Sequence, residues 1–288
     1  MKRLLISMTL SAITLSCVTT PTVDDSSSTK IDASAVKDFE LKPISAKLTA
    51  GLKEYKFKDK TYRAQWFQCV AKQDAPFVAF FHGSAAGNNP QKFCDDWNAQ
   101  VLLKNGFNVV AVNRPSFNGS NGRDDLAGPQ SVAANLAGIK AGVGSGTVVG
   151  FWGVDSGVIA ATFSSKSWDN LKWLILGNGF YDLETLERTS KNERLNKLIA
   201  EQKAAEGEAA LESRSIAWDI AGLPKLIAIY HSKHDSLSPK QQADDFNAQL
   251  RTAESKVYYD ELDAPEGSLP WQFHFQVVEK ALKKLKSK

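Results

Sequence analysis

Three side chains that could take part in hydrolysis come after the ends of predicted strands. Asp155 lies in a Gly-Val-Asp-Ser-Gly turn after "TVVGFW", Asp235 lies after "KLIAIY", and His274 follows "DAPEGSLPWQF" near the C-terminus. A carboxylate can attack carbon as a nucleophile, and an imidazole can activate water. Ligands of open parallel sheets bind beyond the carboxyl ends of the strands. The chemistry therefore depends on whether one sheet edge gathers the three residues.

The elements around these residues predict an α/β fold with a mostly parallel sheet flanked by helices. Six short runs are almost wholly apolar, as in strands buried on both faces, and helical patterns separate most of them. The runs are "FVAFF", "FNVVAV", "TVVGFW", "LKWLIL", "KLIAIY" and "KVYYDEL". Before them, "EYKFKDKTYRAQWFQCV" predicts an antiparallel hairpin. Residues about 183–221 are charged, helix-prone and without strand signal, which predicts a helical cap inserted in the sheet.

From about residue 50 to the end, the sequence resembles the α/β-hydrolase superfamily. The resemblance rests on a His-Gly segment after the third strand, a nucleophile elbow, an acid loop of the form D-x-x-x-P and a late histidine, in the chain order of that family. These motifs are His82-Gly83-Ser84, the turn at Asp155, Asp235 to Pro239, and His274 directly before the terminal helix "FQVVEKALKKL". The resemblance implies an α/β-hydrolase fold.

The elbow motif also indicates which residue would be the nucleophile. The tight turn needs small residues two positions to either side of the nucleophile. Gly153 and Gly157 flank Asp155 in this way, whereas Ser156 would be flanked by two bulky valines. We therefore expect Asp155 at the nucleophile position.

The resemblance implies roles for the other residues. Asp235 would orient His274, and His274 would act as the base. The backbone N–H groups of Ser84 and Ser156 would form the oxyanion hole. An aspartate nucleophile is found in haloalkane dehalogenases and epoxide hydrolases of this family, in which an ester on the aspartate is hydrolysed by histidine-activated water. Between two carboxylates, His274 should tend to be protonated until Asp155 is esterified.

The sequence also departs from those enzymes. Ser156 stands where they usually have Trp, and residues 183–221 contain no tyrosine that could assist a leaving group. The first hypothesis is an exported hydrolase of a small or medium organic substrate. The second is a catalytically silent binding protein on the same fold, in which Asp155 caps the following helix. Ester or peptide hydrolysis, as in serine members, is a third, although attack by a carboxylate on an acyl carbon gives a high-energy anhydride.

No metal or cofactor is expected. His231, His234 and Asp235 are close in sequence, but a metal site usually needs a ligand from a further element. "GVGSG" at residues 142–146 precedes a strand, the wrong order for a dinucleotide-binding turn. His82 is expected to shape its loop, and Arg114 and Asp124 to belong to solvated loop networks.

The N-terminus indicates export. Residues 1–16 have the basic start and apolar stretch of a signal peptide, and "TLSC" resembles a bacterial lipobox, with Thr14 where Leu, Val or Ile is preferred. The resemblance implies acylation, as with palmitate, at Cys17 and a membrane anchor. Residues 17–35 predict a disordered tether, and 36–288 the hydrolase domain.

These features predict a lipid-anchored protein of the bacterial cell envelope. Val18 is not the aspartate that retains some lipoproteins at the inner membrane, so the outer membrane is favoured. A periplasmic or secreted protein is the alternative. Without the charges of the signal peptide the chain has 33 basic and 32 acidic residues, and this balance argues against nucleic-acid binding. Cys69 and Cys94 could form a disulfide or remain buried thiols.

Overall fold

The computed structural model describes residues 41–84, 87–263 and 271–286. The predicted signal peptide (1–16), the lipidation site Cys17 and the tether (17–35) lie outside these ranges. In the part of the chain that is described, no helix is long and apolar enough to cross a membrane.

Eight strands form one sheet. They are β1 (Lys47–Phe57), β2 (Lys60–Val70), β3 (Phe77–Phe81), β4 (Asn108–Asn113), β5 (Val148–Val154), β6 (Trp173–Gly177), β7 (Leu226–Ser232) and β8 (Lys256–Leu262). Their order is β1-β2-β4-β3-β5-β6-β7-β8. β1 and β2 are antiparallel, as are β2 and β4, and the remaining pairs are parallel. The predicted hairpin and mostly parallel sheet are confirmed.

Helices cover both faces of this sheet. They are α1 (Trp97–Lys104), α2 (Pro129–Val143), α3 (Gly157–Ser165), α4 (Leu183–Thr189), α5 (Glu193–Glu206), α6 (Ala209–Glu212), α7 (Lys240–Thr252) and α8 (Trp271–Lys286). One apolar core joins the sheet to α2, α3, α7 and the helices α4 to α6, and we call this side the α3 face. A second core joins it to α1 and α8, on the α8 face. The central strands β3, β4 and β6 are buried at every position because both faces are covered.

The cap consists of α4, α5 and α6 and lies between β6 and β7, where the sequence predicts it. Arg214, which is fully buried, anchors the cap to the loop before α2. Its Nε donates to the carbonyl oxygen of Asp125 at 2.7 Å, and its Nη2 donates to Glu206 Oε1 of α5 at 3.1 Å. Gly128 leaves room for this side chain, since an added Cβ there would lie 2.4 Å from Arg214 Nε.

The terminal helix begins earlier than the sequence predicts. α8 starts at Trp271, so His274 lies in its first turn and not directly before the helix. Pro270 precedes Trp271 in the sequence, and proline is favoured where a helix begins. The direction of the His274 side chain is therefore fixed by the helix, which also buries the side chains of Phe275 and Val278.

Candidate functional site

The turn between β5 and α3 has the geometry of a nucleophile elbow. Asp155 stands at its peak with φ 55°, a left-handed conformation that is uncommon for a residue with a side chain. A Cβ on Gly157 would lie 2.3 Å from the carbonyl oxygen of Phe81, and a Cβ on Gly153 would lie 2.7 Å from that of Gly157. The two glycines are needed for this close approach, as their spacing predicted.

The carboxyl group of Asp155 points toward the His-Gly segment after β3. Its Oδ2 accepts two hydrogen bonds from Ser84, one from the backbone N–H and one from the hydroxyl, each at 2.9 Å. Gly83 packs against the same group, since a Cβ there would lie 2.7 Å from Oδ2. Oδ1 of Asp155 is buried and has no hydrogen-bond partner among the described residues.

These contacts change what Ser84 can do. From the sequence, its N–H is expected in an oxyanion hole, where it would bind an oxygen of the substrate. In the structure this N–H already donates to Asp155. Ser156, the other expected donor, is fully buried, and its hydroxyl accepts a hydrogen bond from Arg114 Nη2 at 3.3 Å.

Arg114 lies beside Asp155 and not in a solvated loop. It directly follows β4 and is only 1% exposed. Its Nη2 also donates to the carbonyl oxygen of Gly83 at 3.0 Å. The same nitrogen therefore binds the His-Gly segment after β3 and the elbow residue Ser156. Asp124 Oδ1 lies 3.8 Å from Nη1. The expectation of a solvated network is therefore wrong for Arg114, because its position at the end of a central strand buries it.

The surroundings of Asp155 raise the pKa of its carboxyl above the ordinary value. Burial raises the pKa of this carboxyl, and the charge of Asp235 raises it further. The hydrogen bonds from Ser84 and the charge of Arg114 act in the opposite direction but are outweighed. A raised pKa makes the carboxylate easier to protonate, and only the ionised form is a good nucleophile.

Asp235 lies at the expected end of β7, and its side chain holds a turn. Its Oδ1 accepts hydrogen bonds from the backbone N–H groups of Leu237 and Ser238 at 2.8 and 2.9 Å. The negative charge of Asp235 contributes to the raised pKa of the Asp155 carboxyl. The structure thus brings Asp155 and Asp235 into one region.

His274 is not brought to that region. Its Nδ1 forms a hydrogen bond of 3.0 Å with the hydroxyl of Tyr230, which also accepts one from Trp152 Nε1 at 3.3 Å. Its ring packs on Trp97, with ring centroids 5.3 Å apart. Tyr230 and Trp152 point to the α8 face of the sheet.

The environment of His274 is also the reverse of the expected one. Burial alone lowers the pKa of its imidazole to about 4, whereas two neighbouring carboxylates would raise it. The expectation that His274 lies between Asp155 and Asp235 and is readily protonated is therefore wrong. The first turn of α8 directs the imidazole to the α8 face, where it contacts Tyr230 and Trp97. The assignment of His274 as the base stays a prediction.

The other three histidines are held elsewhere. His82 Nδ1 donates to the carbonyl oxygen of Gly83 at 2.8 Å and its Nε2 accepts from the backbone N–H of Arg114 at 3.2 Å, so it shapes the loop as expected. His231 Nε2 donates to a backbone carbonyl at 2.8 Å, and His234 Nε2 lies 3.2 Å from Asp263 Oδ1. Within the described ranges, no cluster of three or more His, Cys, Asp or Glu side chains could hold a metal ion.

Cys69 and Cys94 form a disulfide. The bond joins β2 to the segment before α1, across 25 positions of the sequence. Of the two alternatives left open by the sequence, the structure has the disulfide.

The sheet order, the elbow after β5 and the helical cap together define an α/β-hydrolase fold. Solved structures with this fold include the esterase Pf2001 of Pyrococcus furiosus, with a TM-score of 0.62 and 16% identity over 82% of this chain and 93% of that chain. Carboxyl esterase 2 of the fungus Tuber melanosporum matches with a TM-score of 0.62 and 16% identity over 84% of this chain and 88% of that chain.

A longer protein with a similar region is the acylaminoacyl peptidase of Pyrococcus horikoshii. It matches with a TM-score of 0.63 and 17% identity, over 89% of this chain but only 43% of the peptidase. No family model and no curated protein matches the sequence. At these identities the similarities show the fold, and the activity must be argued from the site.

Proposed function

We propose that this chain is a binding protein on the α/β-hydrolase fold, which holds a small organic molecule at the elbow without hydrolysing it. The observation that carries the proposal is the hydrogen bonding of Asp155. Its carboxyl occupies the N–H of Ser84, the donor that hydrolysis would require, while His274 is bound to Tyr230 on the α8 face.

Hydrolysis at an elbow needs a nucleophile, a base within hydrogen-bond reach and free donors for the developing charge. The pKa of the Asp155 carboxyl is raised, and among the described residues this carboxyl accepts hydrogen bonds from Ser84 alone. Asp155 Oδ1 and Arg114 Nε and Nη1 have no hydrogen-bond partner among the described residues, so they remain suited to hold a ligand. This combination favours binding over turnover.

The second candidate is hydrolysis through a covalent ester on Asp155. The strained elbow conformation favours it, because a φ of 55° at the peak of the turn presents the side chain as a nucleophile would be presented. Asp155 would attack a substrate carbon and expel the leaving group with its electron pair. Water would then cleave the ester, giving its proton to His274 and regenerating the carboxyl. This route requires His274 to leave Tyr230.

The two candidates are separated by an activity screen of the full-length protein in detergent. The probes are p-nitrophenyl butyrate, γ-butyrolactone, styrene oxide and 1-chlorobutane, with turnover followed by product formation and binding by saturation-transfer NMR. We expect saturable binding without turnover. Turnover that is lost in Asp155→Ala, with an adduct on Asp155 in His274→Gln by intact mass, would establish the second candidate instead.

Asp155→Ser provides a sharper test, since it converts the turn to the G-x-S-x-G pattern of serine hydrolases. We expect no ester hydrolysis from this variant, because a serine needs an adjacent base and His274 lies on the α8 face. Ester hydrolysis by Asp155→Ser that is lost on adding His274→Gln would contradict the binding proposal. It would show that the imidazole reaches the elbow.

We further propose that the protein is anchored by acylated Cys17 in the cell envelope, at the outer membrane. The lipobox-like "TLSC" supports this location, and the bond between Cys69 and Cys94 suits an oxidising compartment. Labelling with a palmitate analogue and membrane fractionation test it. We expect label in the wild type and none in Cys17→Ala, which should move to the soluble fraction. Unlabelled wild-type protein in the periplasm would support the alternative.

A further inference from the structure

Arg114 is a buried cation whose hydrogen-bonding capacity is only partly used. Its Nη2 donates to Gly83 and Ser156, but its Nε and Nη1 have no hydrogen-bond partner among the described residues. The carboxylate of Asp124 lies 3.8 Å from Nη1, which is too long for a hydrogen bond. Arginine stays charged at all relevant pH values, and buried charges are normally paired and hydrogen-bonded. These two nitrogens therefore require an acceptor.

Asp155 adds a third group with the same requirement. Both hydrogen bonds from Ser84 go to Oδ2, so in the acid form of Asp155 the proton belongs on Oδ1. Oδ1 is the buried atom without a partner. Burial raises the pKa of Asp155, which is the direction that this acid form requires. Oδ1–H then donates, and it too requires an acceptor.

Arg114 and Asp155 belong to one site because they share their neighbours. Gly83, whose carbonyl accepts from Arg114, packs against the carboxyl of Asp155, and Ser156, whose hydroxyl accepts from Arg114, follows Asp155 in the chain. The charge of Arg114 also acts on the pKa of Asp155. The site therefore presents several donors beside one fixed positive charge.

We propose that Arg114 and Asp155 together bind the carboxylate of a small organic acid. A carboxylate only accepts hydrogen bonds and has two oxygens, which match the donors of a guanidinium and an acid hydroxyl. An ammonium group would bring further donors next to the charge of Arg114, and a neutral ester would offer Nε and Nη1 only uncharged, weaker acceptors. This inference rests on the proposed binding function and specifies its ligand class.

The test compares matched ligands on the full-length protein in detergent at neutral pH. Butyrate and benzoate are titrated against methyl butyrate, methyl benzoate and the corresponding primary amides, with the dissociation constants measured by isothermal titration calorimetry and saturation-transfer NMR. We expect each carboxylate to bind at least about tenfold more tightly than its ester or amide, about 1.4 kcal/mol for a charge-assisted contact. Esters or amides that bind as tightly as the acids overturn the inference but leave the binding function standing. If no probe binds, both fail.

Three variants test the residues. Arg114→Gln should weaken carboxylate binding at least about tenfold, whereas Arg123→Gln, a half-exposed arginine of the neighbouring loop, should leave it unchanged. Asp155→Asn keeps an acceptor for Ser84 and donates through its amide nitrogen, so it should retain carboxylate binding. Asp155→Leu should lose it. Unchanged binding in folded Arg114→Gln, or loss in Asp155→Asn, contradicts the assignment.

Because Arg114→Gln removes contacts that hold two loops, a second readout uses the wild type. The side-chain Nε–H resonance of Arg114 should shift in a saturable manner on titration with benzoate and not with methyl benzoate. A resonance that does not respond to benzoate overturns the role of Arg114, whatever the stability of the variant.

Discussion

The burial of His274 predicts how the free energy of unfolding changes with pH. Burial lowers the pKa of its imidazole from 6.5 to about 4 in the folded protein. As the pH falls below about 6.5, the unfolded chain takes up a proton that the folded protein refuses until about pH 4. Stability is therefore lost on acidification through this window. The sign would be opposite for an imidazole between Asp155 and Asp235, whose pKa would be raised and whose protonation would stabilise the folded state.

The magnitude follows from the two pKa values. A difference of about 2.5 units at about 1.36 kcal/mol each limits the loss to about 3 kcal/mol. At pH 5 most of this window has been crossed, and the loss from His274 is about 2 kcal/mol. His274 is only partly shielded from solvent, so these figures are upper limits.

Urea unfolding of wild type and His274→Asn at pH 7.5 and pH 5 measures this contribution. Asparagine can still bond the hydroxyl of Tyr230 but does not titrate. The stability of the wild type should fall by up to about 2 kcal/mol more than that of the variant. Titration of the four imidazole resonances by NMR gives the pKa directly, with His274→Asn identifying the relevant signal. A pKa of His274 above 6.5 would refute its placement on the α8 face. It would support the hydrolytic arrangement in which His274 lies between Asp155 and Asp235.

Three further changes test the framework of the site. Gly157→Ala would place a methyl group 2.3 Å from a backbone oxygen of β3, so we expect a loss of about 3 kcal/mol in urea unfolding; a stable variant would contradict the tight elbow. Replacing Cys69 and Cys94 by alanine opens a loop across 25 positions and should cost about 3 kcal/mol, seen as a lower melting temperature; equal melting of both proteins would mean that the cysteines are not paired. Arg214→Met removes the hydrogen bonds to Glu206 and to the carbonyl oxygen of Asp125 and should cost about 2 kcal/mol in urea unfolding, whereas an unchanged midpoint would show that the cap needs no such anchor.

Much of the scaffold could be predicted because it depends on local patterns. "FVAFF" coincides with β3, since a continuous apolar run between turns suits a buried parallel strand. "KVYYDEL" coincides with β8, a partly buried strand at the edge of the sheet. The elbow was equally accessible, because the space available to Gly153 and Gly157 depends on residues close in the chain and on the neighbouring strand.

The sequence-based expectations that were wrong concern side chains whose direction depends on the whole fold. Chain order placed His274 after the last strand, but the choice between the sheet edge and the α8 face depends on where α8 begins. Pro270 before Trp271 was the signal that could have placed His274 inside the helix. Arg114 looked like a loop residue because charge suggests solvent, yet it directly follows a central strand and precedes Pro115. That position was the available sign of burial.

The anchor formed by Arg214 has a consequence for how ligands reach the elbow. The guanidinium of Arg214 is fully buried and hydrogen-bonded to α5, α6 and the loop before α2. A cap that swung away as a rigid body would have to break the bond of 2.7 Å from Arg214 Nε to the carbonyl oxygen of Asp125. Cap and sheet should melt in one cooperative transition and exchange their amide hydrogens at comparable rates. Access to Asp155 then depends on small local excursions, such as release of the hydrogen bond of 3.1 Å from Arg194 Nη2 to the carbonyl oxygen of Ser84.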